Sequence, residues 1–314
     1  MTTLLPPVRH DVPAPSRWHR PLLVLAVAMA GLTVLTAVLA GVDARPVLGQ
    51  VAWLKPLKFA LSIGLYALTL AWLVGLPGLP RPRLASALAS VAAVGLLLEI
   101  AVIGWAAAVG TTSHFNVSTP LHSALWALMG TSIAVVWVVT AVIGVLVFRT
   151  PLPDRARTLA VRAGVVLGLV GMALAFLMTA PTPAQTQDFS GVVGAHAVGV
   201  PDGGPGLPFL GWSTQGGDLR IPHFVGLHAL QVLPLAVLLL ERLAGRVAAL
   251  RDDVVRFRLV AVGALGYAGL VGWLTVQALA GQPLLHPSPA LAGVGVAALA
   301  VLSVLAAGAL RRAR

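Results

Sequence analysis

Hydrogen-bonding side chains recur at helical spacing in segments that are otherwise apolar. In GGDLRIPHFVGLHALQVLPL, residues 216–235, Asp218, Arg220, His223, His228 and Gln231 open a stretch that reads as membrane. On a helix of 3.6 residues per turn, Arg220, Phe224, His228 and Gln231 fall within about 80° of one another. His223 and His228 are about 140° apart, which makes them poor joint ligands for one metal ion. In WLKPLKFALSIGLY, Lys55, Lys58, Ser62 and Tyr66 share a single face. Glu99 lies inside a third apolar run. TTSHFNVSTPLHSALW places His114 and Asn116 in a turn and His122 in the first turn of the helix after it.

These residue types support three kinds of chemistry. Histidines on facing helices are the usual grip on haem in a bundle, so His122 and His228 are candidate ligands of a haem b iron. Lys55, Lys58 and Arg220 would then meet the propionates. A divalent metal held by His114, His122 and His223, with Glu99 as general base, is a related oxidoreductase or metal-dependent reading. The alternative is a proton-coupled transporter or sensor of a small polar or anionic solute. In that reading Lys58 and Arg220 supply counter-charge, and Glu99 and His228 exchange protons. A third reading is a structural or lipid-binding protein, in which these groups only hold helices together. An ionisable group at the bilayer centre costs about 2.5–3.5 kcal/mol by insertion scales. Several such groups at one side and depth therefore point to a shared pocket, and binding of a cofactor or small ligand is placed ahead of transport. Whether a reaction is catalysed stays open. His196 and His286 read as surface residues.

The elements that must position these groups are membrane helices. The chain has 314 residues, of which 58% are hydrophobic and only 10% charged. Soluble domains run near 25% charged. A span needs about 20 apolar residues, and eight runs qualify, at 21–41, 53–76, 84–109, 120–148, 158–180, 221–241, 257–280 and 289–310. The expected fold is all-α, a polytopic transmembrane bundle of eight spans.

Basic residues collect in cytoplasmic loops. With the N-terminus inside, 17 of the 21 basic residues fall on the inner side, leaving Arg45, Lys55, Lys58 and Arg220 on the other. Both termini are then cytoplasmic, in the inner membrane of a bacterium, with the lipid bilayer as partner. The net charge of +11 reports topology and needs no nucleic acid. Residues 1–20 read as a disordered cytoplasmic tail and 21–314 as the transmembrane domain. Within it, a long outer loop spans 181–220. Its Phe189, Phe209, Leu210 and Trp212 give it apolar groups to bury, so a folded cap over the outer mouth is expected.

The strings KPLKFALS, SHFN, DGGPGLP and GDLRIPHFVGLHALQVLPL resemble an uncharacterised family of bacterial multispanning membrane proteins, over spans two to six. The resemblance implies the same multispanning fold, and it carries over no activity, cofactor or residue role. The absence of cysteine excludes disulfides, zinc fingers, iron–sulfur clusters and cysteine nucleophiles. No phosphate-binding loop, dinucleotide fingerprint or nucleophile elbow is present.

Overall fold

The computed structural model describes residues 17–311. The helices in chain order are α1 (Arg20–Val42), α2 (Leu54–Val74), α3 (Pro82–Val109), α4 (Pro120–Phe148), α5 (Arg155–Leu174), the short α6 (Pro183–Gln187), α7 (Arg220–Leu243), α8 (Asp253–Leu279) and α9 (Pro289–Arg311). Among the described residues, eight helices are long and apolar enough to cross a membrane. All nine except α6 coincide with the expected runs to within a few residues.

The helix starts follow from local chemistry. Thr119 and Asp154 cap α4 and α5 by accepting from the backbone N–H groups of His122 and Arg157. Proline occupies the first turn of α1, α3 and α4, where its missing N–H costs nothing. After Leu174 the fifth span continues as a 3₁₀ segment, Ala175–Met178, close to the end expected from its apolar run. Of the segment read as a tail, residues 1–16 lie outside the described ones. Residues 17–20 are structured, with Trp18 packed on the core and the His19 N–H donating to the Ala71 carbonyl at 3.3 Å.

The helices form two lobes. One consists of α1, α2, α3 and α4, each packed on its sequence neighbour, with α1 also against α3. The other consists of α5, α7 and α8 packed mutually, with α9 on the outside of α8. The lobes meet along α4–α5 and, more lightly, along α2–α7. The closest helix contact is between α5 and α7. A Cβ on Gly171 would come 2.0 Å from the Leu227 nitrogen, so only glycine lets the two backbones approach this far. Near the opposite end of the same pair, Arg157 donates to Glu241 through two bonds of 2.6 and 2.7 Å, both side chains buried.

Four connections share one end of the bundle. They are residues 43–53, 110–119, 179–219 and 280–288. The first is a hairpin of β1 (Pro46–Val47) and β2 (Gln50–Val51). The third carries α6 and the ladder of β3 (Ala197–Val198) with β4 (Gly217–Asp218). It also bridges to the second, since the N–H of Val193 donates to the Phe115 carbonyl and that of Val117 to the Gly191 carbonyl, both at 2.8 Å. Residues 179–219 thus lie as a folded layer across this end. Of the aromatic residues expected to anchor it, Trp212 packs against Phe224, whereas Phe189 stays 63% exposed. The apolar group beneath the layer comes from Phe115, Met178, Leu219 and Ala278 instead.

Candidate ligand-binding site

A cavity of about 430 Å³ opens beneath this layer, at the seam between the two lobes. Its deeper wall is apolar, with Leu65, Leu96, Ile133 and Val136 from the first lobe and Met172 and Leu227 from the second. Leu61, Leu65 and Phe176 on its wall are 44%, 49% and 48% exposed, so the space is open rather than sealed.

The polar groups arrive from four elements. On α2, the face defined by Lys55, Lys58, Ser62 and Tyr66 lines the cavity throughout, as i, i+3, i+7, i+11 spacing requires. Tyr66 is buried and hydrogen-bonded to Thr140 of α4. Lys58 Nζ donates to Gln50 Oε1 at 3.1 Å and to the Leu210 carbonyl at 2.8 Å. Among the described residues its charge meets neutral oxygens and no carboxylate within 4 Å. Arg220, opening α7, is bound to Asp218 through Nε and Nη2 at 2.9 and 2.6 Å, and Nη2 also donates to the Gly211 carbonyl at 2.6 Å. Two cations from different lobes therefore hold two consecutive carbonyls of the covering layer. Gly211 has φ of +68°, the left-handed region that favours glycine.

Residues 110–119 dip into the cavity and place His114 between Lys55 and Glu99. Lys55 Nζ lies 3.2 Å from His114 Nδ1, and His114 Nε2 lies 3.4 Å from Glu99 Oε1. An ammonium only donates, so Nδ1 is the acceptor and Nε2 carries the proton that faces the carboxylate. Phe59, Phe115 and Trp126 enclose the imidazole at ring-centre distances of 5.7, 6.0 and 5.6 Å. Burial, and then the neighbouring Lys55 charge, hold His114 well below the ordinary histidine range, so it is neutral. Glu99 is 3% exposed, and its second oxygen, Oε2, has no hydrogen-bond partner among the described residues.

Three further imidazoles line the same cavity, each with Nδ1 occupied. His223 Nδ1 donates to the Gly171 carbonyl at 2.7 Å, a contact that depends on the close α5–α7 approach. His228 Nδ1 is 3.2 Å from Gln231 Oε1, and Gln231 donates onward to Thr69 Oγ1 at 3.1 Å. His196 Nδ1 lies 2.7 Å from Asp202 Oδ2. Burial holds His196 below its usual range and keeps it neutral. Burial opposes ionisation of Asp202, but N–H donors from His196 and Ala197 outweigh it and lower its pKa to about 2. His196 was read from sequence as a surface group; its side chain is in fact 15% exposed and on the cavity wall. It and Asp202 sit six residues apart across an irregular turn, which no periodicity reveals. His286 is exposed, as read.

The other candidate residues take supporting places. Asn116 is buried and its side-chain oxygen accepts from the N–H and hydroxyl of Ser118, shaping the turn that carries His114. Asp218 is buried and orients Arg220. Gln231 is not on the cavity wall and acts through His228. His122 is half-buried, bonded to Thr119 Oγ1 at 2.7 Å and packed near Trp105; it is not among the residues that line the cavity with His228. Among the described residues, no three His, Asp or Glu side chains group as a metal ion would require. Comparison with known protein families, with curated proteins and with solved structures gave no match.

Proposed function

We propose that this is an integral membrane protein that binds an amphiphilic small molecule with an anionic head in the cavity between its two lobes. The observation that carries the reading is Lys58, a cation on the wall of a mostly apolar cavity whose partners are two neutral oxygens. A half-buried ammonium gains most from a charged acceptor, and the apolar surface of the cavity suits a hydrocarbon or ring body. Arg220, whose guanidinium holds the next carbonyl of the layer, lines the same cavity. The uneven distribution of basic residues supports a cavity facing the non-cytoplasmic side. Haem b, with two propionates, falls within this class of ligand, and the imidazoles of the cavity wall, His114, His196, His223 and His228, are those that would be available to its iron; an absorption spectrum of the purified protein decides that case.

The test is binding of a medium-chain alkanoate to the purified protein, followed through the fluorescence of Trp126 and Trp212 on the cavity wall. Saturable binding is expected, weakened about tenfold by Lys58→Gln, the cost of one charge-assisted hydrogen bond. Binding indifferent to that substitution would sink the reading. The division into two lobes with a central cavity supports a second reading, transport of the same solute by relative motion of the lobes. Uptake into proteoliposomes distinguishes it from simple binding.

A further inference from the structure

We propose that Glu99 forms a second, deep subsite in the cavity, which takes a hydroxyl group of the ligand. Three observations meet there. Glu99 lines the cavity and is almost wholly buried. Its Oε1 faces His114, while its Oε2 has no hydrogen-bond partner among the described residues. Leu96 and Ile103, three residues before it and four after it on α3, line the cavity with it and are apolar.

A buried polar atom left unpaired costs about 1–3 kcal/mol, and more when it is charged. The cations of the cavity wall already have partners: Lys58 has Gln50 and Leu210, Arg220 has Asp218 and Gly211, and Lys55 has His114. Among the described residues, Glu99 Oε2 is the fully buried side-chain polar atom of the cavity lining that has no hydrogen-bond partner. An ionised oxygen needs a donor, and a protonated one needs an acceptor. A hydroxyl supplies either, whereas an ether, a methyl or a second carboxylate does not. The chemistry at the two depths therefore specifies a two-ended ligand, with an acid near Lys58 and Arg220 and a hydroxyl at Glu99. This deepens the anionic-amphiphile reading and rests on it only for the acidic end.

The Lys55–His114 pair fixes how the subsite is built. Lys55 donates to Nδ1, which commits the imidazole proton to Nε2 and hence to Glu99 Oε1. Oε1 is thus the oxygen turned to His114, and Oε2 is the one left without a partner among the described residues. His114 is a positioning residue in this arrangement.

Three probes on the purified full-length chain separate the two ends: an alkanoate, the matching alkanol and the matching ω-hydroxyalkanoate, each over a series of chain lengths. The quantity read is the ratio of affinities with and without the hydroxyl, measured on one variant at a time. In the unaltered protein the hydroxy acid is expected to bind about tenfold tighter than the plain acid at the chain length that spans the two subsites. In Glu99→Leu that ratio falls to near one. In Lys58→Gln both acids weaken together and the ratio stays. Glu99→Met, which keeps the length of the side chain, gives the same reading if the leucine variant does not fold. A ratio near one at every chain length in the unaltered protein, or a preference that persists in both Glu99 variants, overturns the subsite. If no alkanoate binds at all, the acidic end is wrong, and the alkanol then decides. Glu99-dependent alkanol binding upholds the subsite, and alkanol binding that is absent or independent of Glu99 overturns it.

Discussion

Lys58 Nζ donates to the Leu210 carbonyl at 2.8 Å, closing 152 residues of chain. This one bond ties the start of α2, in the first lobe, to the layer that precedes α7, in the second. Arg220 does the same for the next carbonyl from the opposite wall. The covering layer is thus pinned by the two cations that would also meet a ligand's acid, so the cover and the binding groups are one structure.

Removing the Lys58 pin should loosen the layer locally. Lys58→Met leaves the Leu210 carbonyl and Gln50 Oε1 without their shared donor, and a bond to a charged group is worth about 1.5–3 kcal/mol. Amide hydrogen exchange across residues 203–215 is expected to rise about tenfold or more, with the helices of both lobes unchanged. Exchange in that segment no faster than in the unaltered chain would show that other contacts hold the layer.

The α5–α7 crossing can be tested without touching any polar group. A Cβ at Gly171 would sit 2.0 Å from the Leu227 nitrogen and 2.1 Å from the Gly226 carbonyl carbon. Both are backbone atoms and cannot turn away. Gly171→Ala should therefore separate the helices, cost about 1–3 kcal/mol or more as overpacking, and pull His223 Nδ1 from the Gly171 carbonyl. Gly31→Ala, where a Cβ meets nothing within 4 Å, is the control and should be neutral or slightly stabilising. Equal melting temperatures for the two variants would contradict the crossing.

The helices were legible because length and apolarity alone define a span. The face of α2 was legible for a similar reason: Lys55, Lys58, Ser62 and Tyr66 obey the helical period, and they do line one cavity. What periodicity cannot give is the company a residue keeps across a loop. His122 begins a span at the same end as His114, yet only the loop residue turns inward. That turn depends on Phe115, which adopts a φ of +64° that its residue type does not announce. His196 and Asp202 meet through an irregular turn, and so His196 read as a surface group. Gly171 lies outside the regularly spaced pair that Gly164 and Gly168 make on α5. Their packing against α7 is real, with a Cβ on Gly164 only 3.0 Å from the Ala229 carbonyl, but the tightest contact is one turn further on.

Acid should weaken the cavity end. His114 and His196 are both held neutral by burial, below the 6.5 at which the unfolded chain would titrate. As pH falls through 6.5 the unfolded state binds protons that the folded state refuses. Stability is therefore present above that pH and lost on acidification, by up to about 1.4 kcal/mol per imidazole per pH unit. Asp202 adds nothing in this window. Its pKa is lowered from 3.8 to about 2, so its contribution is complete above pH 4 and is lost only as pH falls towards 2. Melting temperatures between pH 7 and pH 5 should drop, with a shallower slope in His114→Gln, which removes one of the refusing groups and keeps a polar side chain beside Lys55. An identical slope in that variant would mean that His114 takes up its proton in the folded protein.

At the far end of the α5–α7 pair, Arg157 and Glu241 offer a measure of what buried charge costs this fold. Their two bonds, at 2.6 and 2.7 Å, form the side-by-side geometry in which a guanidinium matches a carboxylate best. Taking two charges out of water costs as much as their attraction returns, so the pair is weak evidence for stability by itself. Removing one partner is different, because it takes from a buried charge the two bonds of this pair. Glu241→Ala is expected to destabilise by about 3–5 kcal/mol, and Arg157→Met with Glu241→Leu together by much less. The full double-mutant cycle, read from thermal or denaturant unfolding in detergent, separates the coupling from the cost of burial. Should the double variant be as unstable as the single one, the pair holds α5 and α7 in register and is not merely compensating its own burial. The crossing at Gly171 would then depend on a contact at the other end of the same two helices.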